Sequence, residues 1–300
     1  MSTKTSRSYG LSSITIVVAL TLLSAPTFAA DDYIPGSRFF TISETSSLLP
    51  QGFSNPSALT AELFQRSLQE AGVLNLMDWV TNNQPAPRPQ EKYQRQNQFG
   101  AWLVRTPSKN CYDTRAMVLM RESQRPTTPW SVDPCYVAGG AWLEPYRGQP
   151  IQDAQKLQID HVVALKNAYI SGAFAWNNKT RCAYANFLGN RYHLLPVESS
   201  ANTSKGDATP ARWLPPNAGF RCAYLSAWLR IKTTWKLMMS EEEAQAIYQQ
   251  VREFNCRPAD FQMTRQELQE QRKLVSRGVA ECPTTPPKPR IPPRPGFATP

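Results

Sequence analysis

Six cysteines, Cys111, Cys135, Cys182, Cys222, Cys256 and Cys282, constrain this 300-residue chain more than any other feature. None forms a C-x-x-C pair, which argues against a zinc ribbon or a thioredoxin-like redox site. An even set in an exported chain points to three disulfides. Short separations favour Cys111–Cys135 and Cys222–Cys256, and Cys182–Cys282 then staples the tail to the middle of the chain. Export itself is read from the start of the chain. Lys4 and Arg7 precede the apolar run from Ile14 to Leu23, and Thr27-Phe28-Ala29 supplies the small residues that a signal peptidase needs. That run is too short for a hydrocarbon core of about 30 Å, which takes about 20 residues to span. Residues 1–29 are therefore expected to be a cleaved signal peptide, leaving a secreted or periplasmic protein with no membrane attachment.

Composition narrows the partner. Lys and Arg number 33 against 23 Asp and Glu, a formal net charge of +10 at a mean hydropathy of −0.45. This excludes a polytopic membrane protein and favours a polyanion as partner. The excess survives loss of the leader, whose only charged side chains are Lys4 and Arg7.

Along the mature chain, residues 30–90 read as a helical N-terminal extension. Asn55-Pro56 resembles a cap with an N1 proline, and Leu59, Leu63, Phe64, Leu68 and Ala71 share one helical face. Pro85, Pro87 and Pro89 mark the boundary to a domain over residues 91–258, which carries the recognisable chemistry. Within it, Tyr224, Leu225, Trp228 and Ile231 predict one helix. Ser240 with Glu243 forms a capping box ahead of an amphipathic run of Ala244, Ile247, Tyr248, Val251 and Phe254. Thr264 and Glu267 open a charged C-terminal helix within 259–282. Residues 283–300 hold eight prolines with Lys288, Arg290 and Arg294, a composition that predicts an extended, solvated basic arm.

The chain has only two histidines, and both stand in suggestive stretches. Asp160-His161 interrupts the strand-like run from Gln158 to Leu165. His193-Leu194-Leu195-Pro196-Val197 begins a second strand-like run. A short helix capped by Ser199 or Ser200 then carries Asn202 and Lys205. The expected order is strand, loop, strand, helix. Asp160 and the amide of Asn202 are oxygen ligands suited to a hard divalent cation, most simply Mg²⁺. His161, on the opposite strand face from Asp160, can take a proton from water. His193 can hold the loop or orient His161, and Lys205 and Arg115 can hold phosphates.

These segments resemble the HNH, or ββα-metal, nuclease signature, and the nine-residue step from His193 to Asn202 matches that family's spacing. More closely, the chain resembles a secreted bacterial branch related to the C-terminal nuclease domain of type IV restriction enzymes. Tyr93, Arg95, Phe99-Gly100, Trp102, Thr114-Arg115, Pro145-Tyr146, Gly148, Ser171-Gly172-Ala173 and Trp176 fit that branch, as do Trp213 to Asn217 and Cys222 to Tyr224. The match spans roughly residues 93–256. It departs at His193, where the family usually has Asn, and at Glu144 in place of Asp. Asn186 and Asn190 stand nearby and can take the orienting role instead of His193 if the loop is re-registered.

The resemblance implies an α+β fold with a ββα-metal core surrounded by helices. It also implies a metal-dependent endonuclease in which His161 is the base and Asp160 and Asn202 bind the metal. DNA is the expected substrate, with RNA as a second candidate, held through its phosphates with little sequence preference. The alternative from another class is a non-catalytic, disulfide-stapled basic protein that binds nucleic acid or another polyanion on the same scaffold. Intact Asp160, His161, Asn202 and Lys205 favour the enzyme.

Overall fold

A computed structural model describes residues 72–81, 88–104 and 111–289. Everything described lies in one compact unit within residues 37–300. The expected signal peptide, the helix after Asn55-Pro56 and the end of the proline-rich tail fall outside the described residues.

The fold is mixed α and β with three disulfides. Strand β1 (Val73–Asn75) leads into α1 (Leu76–Thr81), and a short α2 (Arg95–Gln98) and α3 (Thr114–Glu122) follow. Asp113 caps α3 by accepting from Ala116 N at 2.9 Å. Strands β2 (Thr128–Pro129), β3 (Val137–Glu144) and β4 (Gln149–Asp153) form an antiparallel sheet in that order.

Strand β5 (Leu157–His161) pairs antiparallel with β6 (Leu194–Glu198), opposing Asp160 to Leu195 and His161 to Leu194. The connection between the two strands is more than the loop expected. Residues 162–193 intervene and contain α4 (Leu165–Ile170) and α5 (Asn178–Ala185). Helix α6 (Ser199–Lys205) follows β6 without a break. Its cap is Glu198, not Ser199 or Ser200. The Glu198 carboxylate accepts from Ser200 N at 3.0 Å and Ala201 N at 2.9 Å, and a negative charge there also suits the helix dipole.

Helices α7 (Arg221–Trp235), α8 (Glu241–Glu253) and α9 (Arg265–Glu281) complete the domain, with β7 (Gln262–Thr264) pairing back to β1. The side chains expected on the inner face of α7, namely Tyr224, Leu225, Trp228 and Ile231, are buried. Ser240 accepts from Glu243 N at 3.2 Å, as half a capping box. The Glu243 carboxylate does not reach back. It is buried against Lys232 Nζ at 2.6 Å and Trp228 Nε1 at 2.6 Å, because a buried ammonium and indole claim it first. Tyr248, expected on the apolar face of α8, is 43% exposed.

The strand pair β5–β6 sits between two apolar clusters, as strand alternation dictates. Leu157, Ile159 and Leu194 pack with Val118, Leu119 and Trp142. Leu195 and Val197 face the larger core around Tyr146, Tyr224 and Trp228. Disulfides join Cys111 to Cys135, Cys182 to Cys282 and Cys222 to Cys256, so the pairing expected from sequence separation is the one present. Beyond Cys282 the described part of the tail is not wholly solvated. Pro287 O accepts from Ala101 N at 2.9 Å, and a Cβ on Gly100 would meet Pro287 at 2.5 Å. Gly100 also has φ +71°, so only glycine suits this crossing.

Candidate active site

Successive residues of a strand point to opposite faces, and β5 uses this to separate two polar groups. Asp160 points toward α6. Its Oδ1 accepts from Lys205 Nζ at 2.9 Å, and its Oδ2 accepts from the Tyr146 hydroxyl. Lys205 Nζ also donates to His161 O at 3.0 Å. The Lys205 side chain is 0% exposed and that of Asp160 is 6% exposed. Burial pushes the Asp160 carboxyl up, while the Lys205 ammonium and the Tyr146 hydroxyl pull against it. Tyr146 is itself held by Glu144, whose buried carboxylate accepts from Tyr146 N at 3.1 Å and Glu198 N at 3.2 Å. One carboxylate thereby joins the turn after β3 to the junction of β6 and α6.

His161 points the other way, to the C-terminal end of α5. There the last carbonyls of the helix lack intrahelical partners. His161 Nε2 donates to Ala185 O at 2.9 Å, and His193 Nε2 donates to the preceding Tyr184 O at 2.8 Å. A carbonyl can only accept, so each neutral ring carries its proton on Nε2 and its lone pair on Nδ1. The two rings meet edge to face at 6.3 Å. Burial holds the His161 imidazole well below its usual pKa, aided by the nearby charge of Arg95. Burial likewise brings His193 down to about 3. Both rings are neutral at neutral pH. Asn190 Oδ1 fixes the backbone at His193, accepting from His193 N at 2.9 Å.

A third layer covers His161. The Trp102 ring lies flat on the imidazole, centroids 5.4 Å apart and planes 7° from parallel. Its backbone neighbours are clamped by buried Asn186, which accepts from Leu103 N at 2.7 Å and donates to Ala101 O at 3.4 Å. Asn186 thereby positions Trp102 against His161. Tyr146, Trp102 and Asn186 were legible from the sequence, but their partners lie 14 to 85 residues away and nothing local pointed to them.

The remaining predicted residues divide. Asn202 Nδ2 donates to Gln158 Oε1 at 2.7 Å. Gln158 and Asp160 are two apart on β5, so Asn202 lies over the same strand face as Asp160. Lys205, expected to hold phosphate, does not: its ammonium is buried on Asp160. Arg115, expected in the same role, donates to Ala154 O at 3.0 Å and Leu157 O at 2.9 Å and so anchors the start of β5.

The oxygen donors of Asp160 and Asn202 fit a hard divalent cation in kind. An ionised carboxylate accepts at about four sites. Lys205 and Tyr146 take one on each oxygen of Asp160. Among the described residues no group of three or more His, Cys, Asp or Glu could hold a metal ion. Most of the cation's shell would come from water and phosphate, as is usual for Mg²⁺.

The class defined by these features is a disulfide-stapled α+β domain whose strand–strand–helix unit pairs a buried carboxylate with a neutral, oriented imidazole. Residues 118–250 match the family model of the GmrSD restriction endonucleases, C-terminal domain. An uncharacterized secreted protein of Arthroderma benhamiae is 35% identical over 159 residues, covering 53% of this chain and 74% of that protein. The chain belongs to this family of restriction-endonuclease C-terminal domains, a nuclease family whose substrate class is nucleic acid. No solved structure matches. The relative is fungal, so it lends no support to the bacterial affiliation expected from the motifs.

Proposed function

We propose that the protein is an exported endonuclease that hydrolyses phosphodiester bonds of DNA through an HNH-type site. The observation that carries this reading is the His161 ring, whose Nε2–H is tied to Ala185 O so that Nδ1 is left as the proton acceptor. His161 Nδ1 takes a proton from water as the water oxygen attacks phosphorus. The bond from phosphorus to the leaving sugar oxygen breaks, and that oxygen departs with the electron pair and is protonated by solvent. Asp160 and Asn202 would hold a divalent cation, Mg²⁺ being the simplest choice. The chemistry it would supply is neutralisation of charge on the phosphate and the leaving oxygen. Lys205 and Tyr146 orient Asp160, and His193 holds the α5 terminus that orients His161. Export is supported by the leader-like N-terminus, by the three disulfides and by the printed description of the relative as secreted.

Plasmid nicking with Mg²⁺, repeated in EDTA, tests the proposal. His161→Ala should lose about 10²–10⁴-fold in rate, the usual cost of a missing general base. Asp160→Asn and Asn202→Ala should be partly rescued by raised Mg²⁺, and His161→Ala should not. Asn is the replacement at 160 because it keeps an oxygen for the Lys205 ammonium to donate to, which Ala would remove. Near-wild-type cleavage by folded His161→Ala would end this mechanism and favour a non-catalytic polyanion binder.

A further inference from the structure

The phosphate itself has no assigned partner, since the two cations expected to hold it, Lys205 and Arg115, are committed to Asp160 and to backbone carbonyls. Most other described arginines are committed as well. Arg121, Arg147, Arg191, Arg212, Arg230 and Arg257 meet carboxylates, and Arg181 meets a cluster of carbonyls. Arg95 differs. It is exposed, it is the first residue of α2, and among the described residues no carboxylate or carbonyl meets its guanidinium. Its contact is an aromatic face: the guanidinium carbon lies 5.9 Å from the centre of the Trp102 ring, the ring stacked on His161.

We propose that Arg95, positioned on Trp102, binds the non-bridging oxygens of the scissile phosphodiester beside His161. The assignment rests on the phosphodiesterase reading above and names the group that grips its substrate.

Three observations carry it. The first is proximity, since Arg95 and His161 both lie against the one Trp102 ring, the guanidinium carbon 5.9 Å and the imidazole 5.4 Å from its centre. The second is rigidity. Trp102 is clamped on both backbone sides by Asn186, and Ala101 N is bonded to Pro287 O, so the platform under the guanidinium is fixed by two separate segments. The third is charge logic. A cation without an anionic partner beside a neutral imidazole gains no more for the fold than its contact with the Trp102 ring, and it makes the place selective for an anion. A guanidinium has the planar fork that meets two phosphate oxygens at once, and stacking on a ring lowers the entropy lost when it does so.

Kinetics with two substrates test the assignment. Plasmid DNA has flanking phosphates, whereas bis(p-nitrophenyl) phosphate has only the scissile one. Arg95→Ala should lower kcat on both by about 10²-fold, the scale of removing one preorganised donor to a developing oxyanion. Arg95→Lys should recover part of that loss, because it restores the charge without the fork. Both variants should melt with the wild type, Arg95 being exposed. Unchanged kcat on bis(p-nitrophenyl) phosphate, with a raised KM for DNA alone, would place Arg95 on a flanking phosphate and overturn the assignment. A wild-type protein inert on both substrates with Mg²⁺ would remove the phosphodiesterase reading, and this assignment with it.

Discussion

At the scale of single residues, the two histidines are alike in partner and different in consequence. Each donates Nε2–H to one of two successive carbonyls at the end of α5. His193 is the more enclosed of the two, 1% exposed, and its buried Nδ1 has no hydrogen-bond partner among the described residues. Its ring stays neutral in the fold down to about pH 3, whereas in the unfolded chain it charges near its ordinary value of about 6.5. Between those limits the unfolded state binds the extra proton. Stability therefore falls as pH drops from about 6.5 toward 3, by about 1.4 kcal/mol per pH unit for this group. Melting temperatures measured at pH 7 and pH 4.5 should show the loss. His193→Gln retains an Nε2 donor but cannot charge, so it should show a shallower one. An equal pH slope in both proteins would mean that His193 is not the group responsible.

Among elements, the Asp160–Lys205 pair ties α6 to β5 through the interior. Breaking a buried pair on one side leaves an uncompensated charge and costs about 3–5 kcal/mol. Lys205→Met should therefore destabilise the protein by that amount in urea unfolding. Adding Asp160→Leu should restore most of it while leaving the Tyr146 hydroxyl unpaired, a cost of about 1–3 kcal/mol. The double variant should be stable and inactive, which would separate the fold's need for the pair from the site's. Equal stability of the single variant and the wild type would show that the pair is not formed in solution. The strand–strand–helix order was legible because β5 announces itself by apolar alternation, β6 by a short continuous apolar run and α6 by a polar helical start. The helices between the strands were not, since α4 and α5 are short and their faces are shaped by the surrounding core.

For the whole molecule, Cys182–Cys282 closes 100 residues and Cys111–Cys135 closes 24. In the chain-entropy account the longer loop stabilises by about 1 kcal/mol more. Cys182→Ala with Cys282→Ala should lower the unfolding midpoint further than Cys111→Ala with Cys135→Ala. The difference should be largest for the region around α5 and α9, which this disulfide joins. Hydrogen exchange on both variants would show it. The opposite ranking would mean that local packing, not loop closure, sets the contribution of each disulfide.

What the sequence determined by itself is what depends on residue type and spacing. The cysteine set and its separations, the Asp160-His161 couple, the second strand, the helix bearing Asn202 and Lys205, and the basic, proline-rich end can all be read without coordinates. Tertiary structure alone decided which polar group meets which. It buried Lys205 on Asp160, turned Arg115 to the backbone, placed Glu144 behind Tyr146, and left Arg95 on Trp102 beside His161. The reason is physical. Propensity and periodicity act between near neighbours in the chain, whereas a buried polar group must find its partner wherever packing brings one within hydrogen-bond reach.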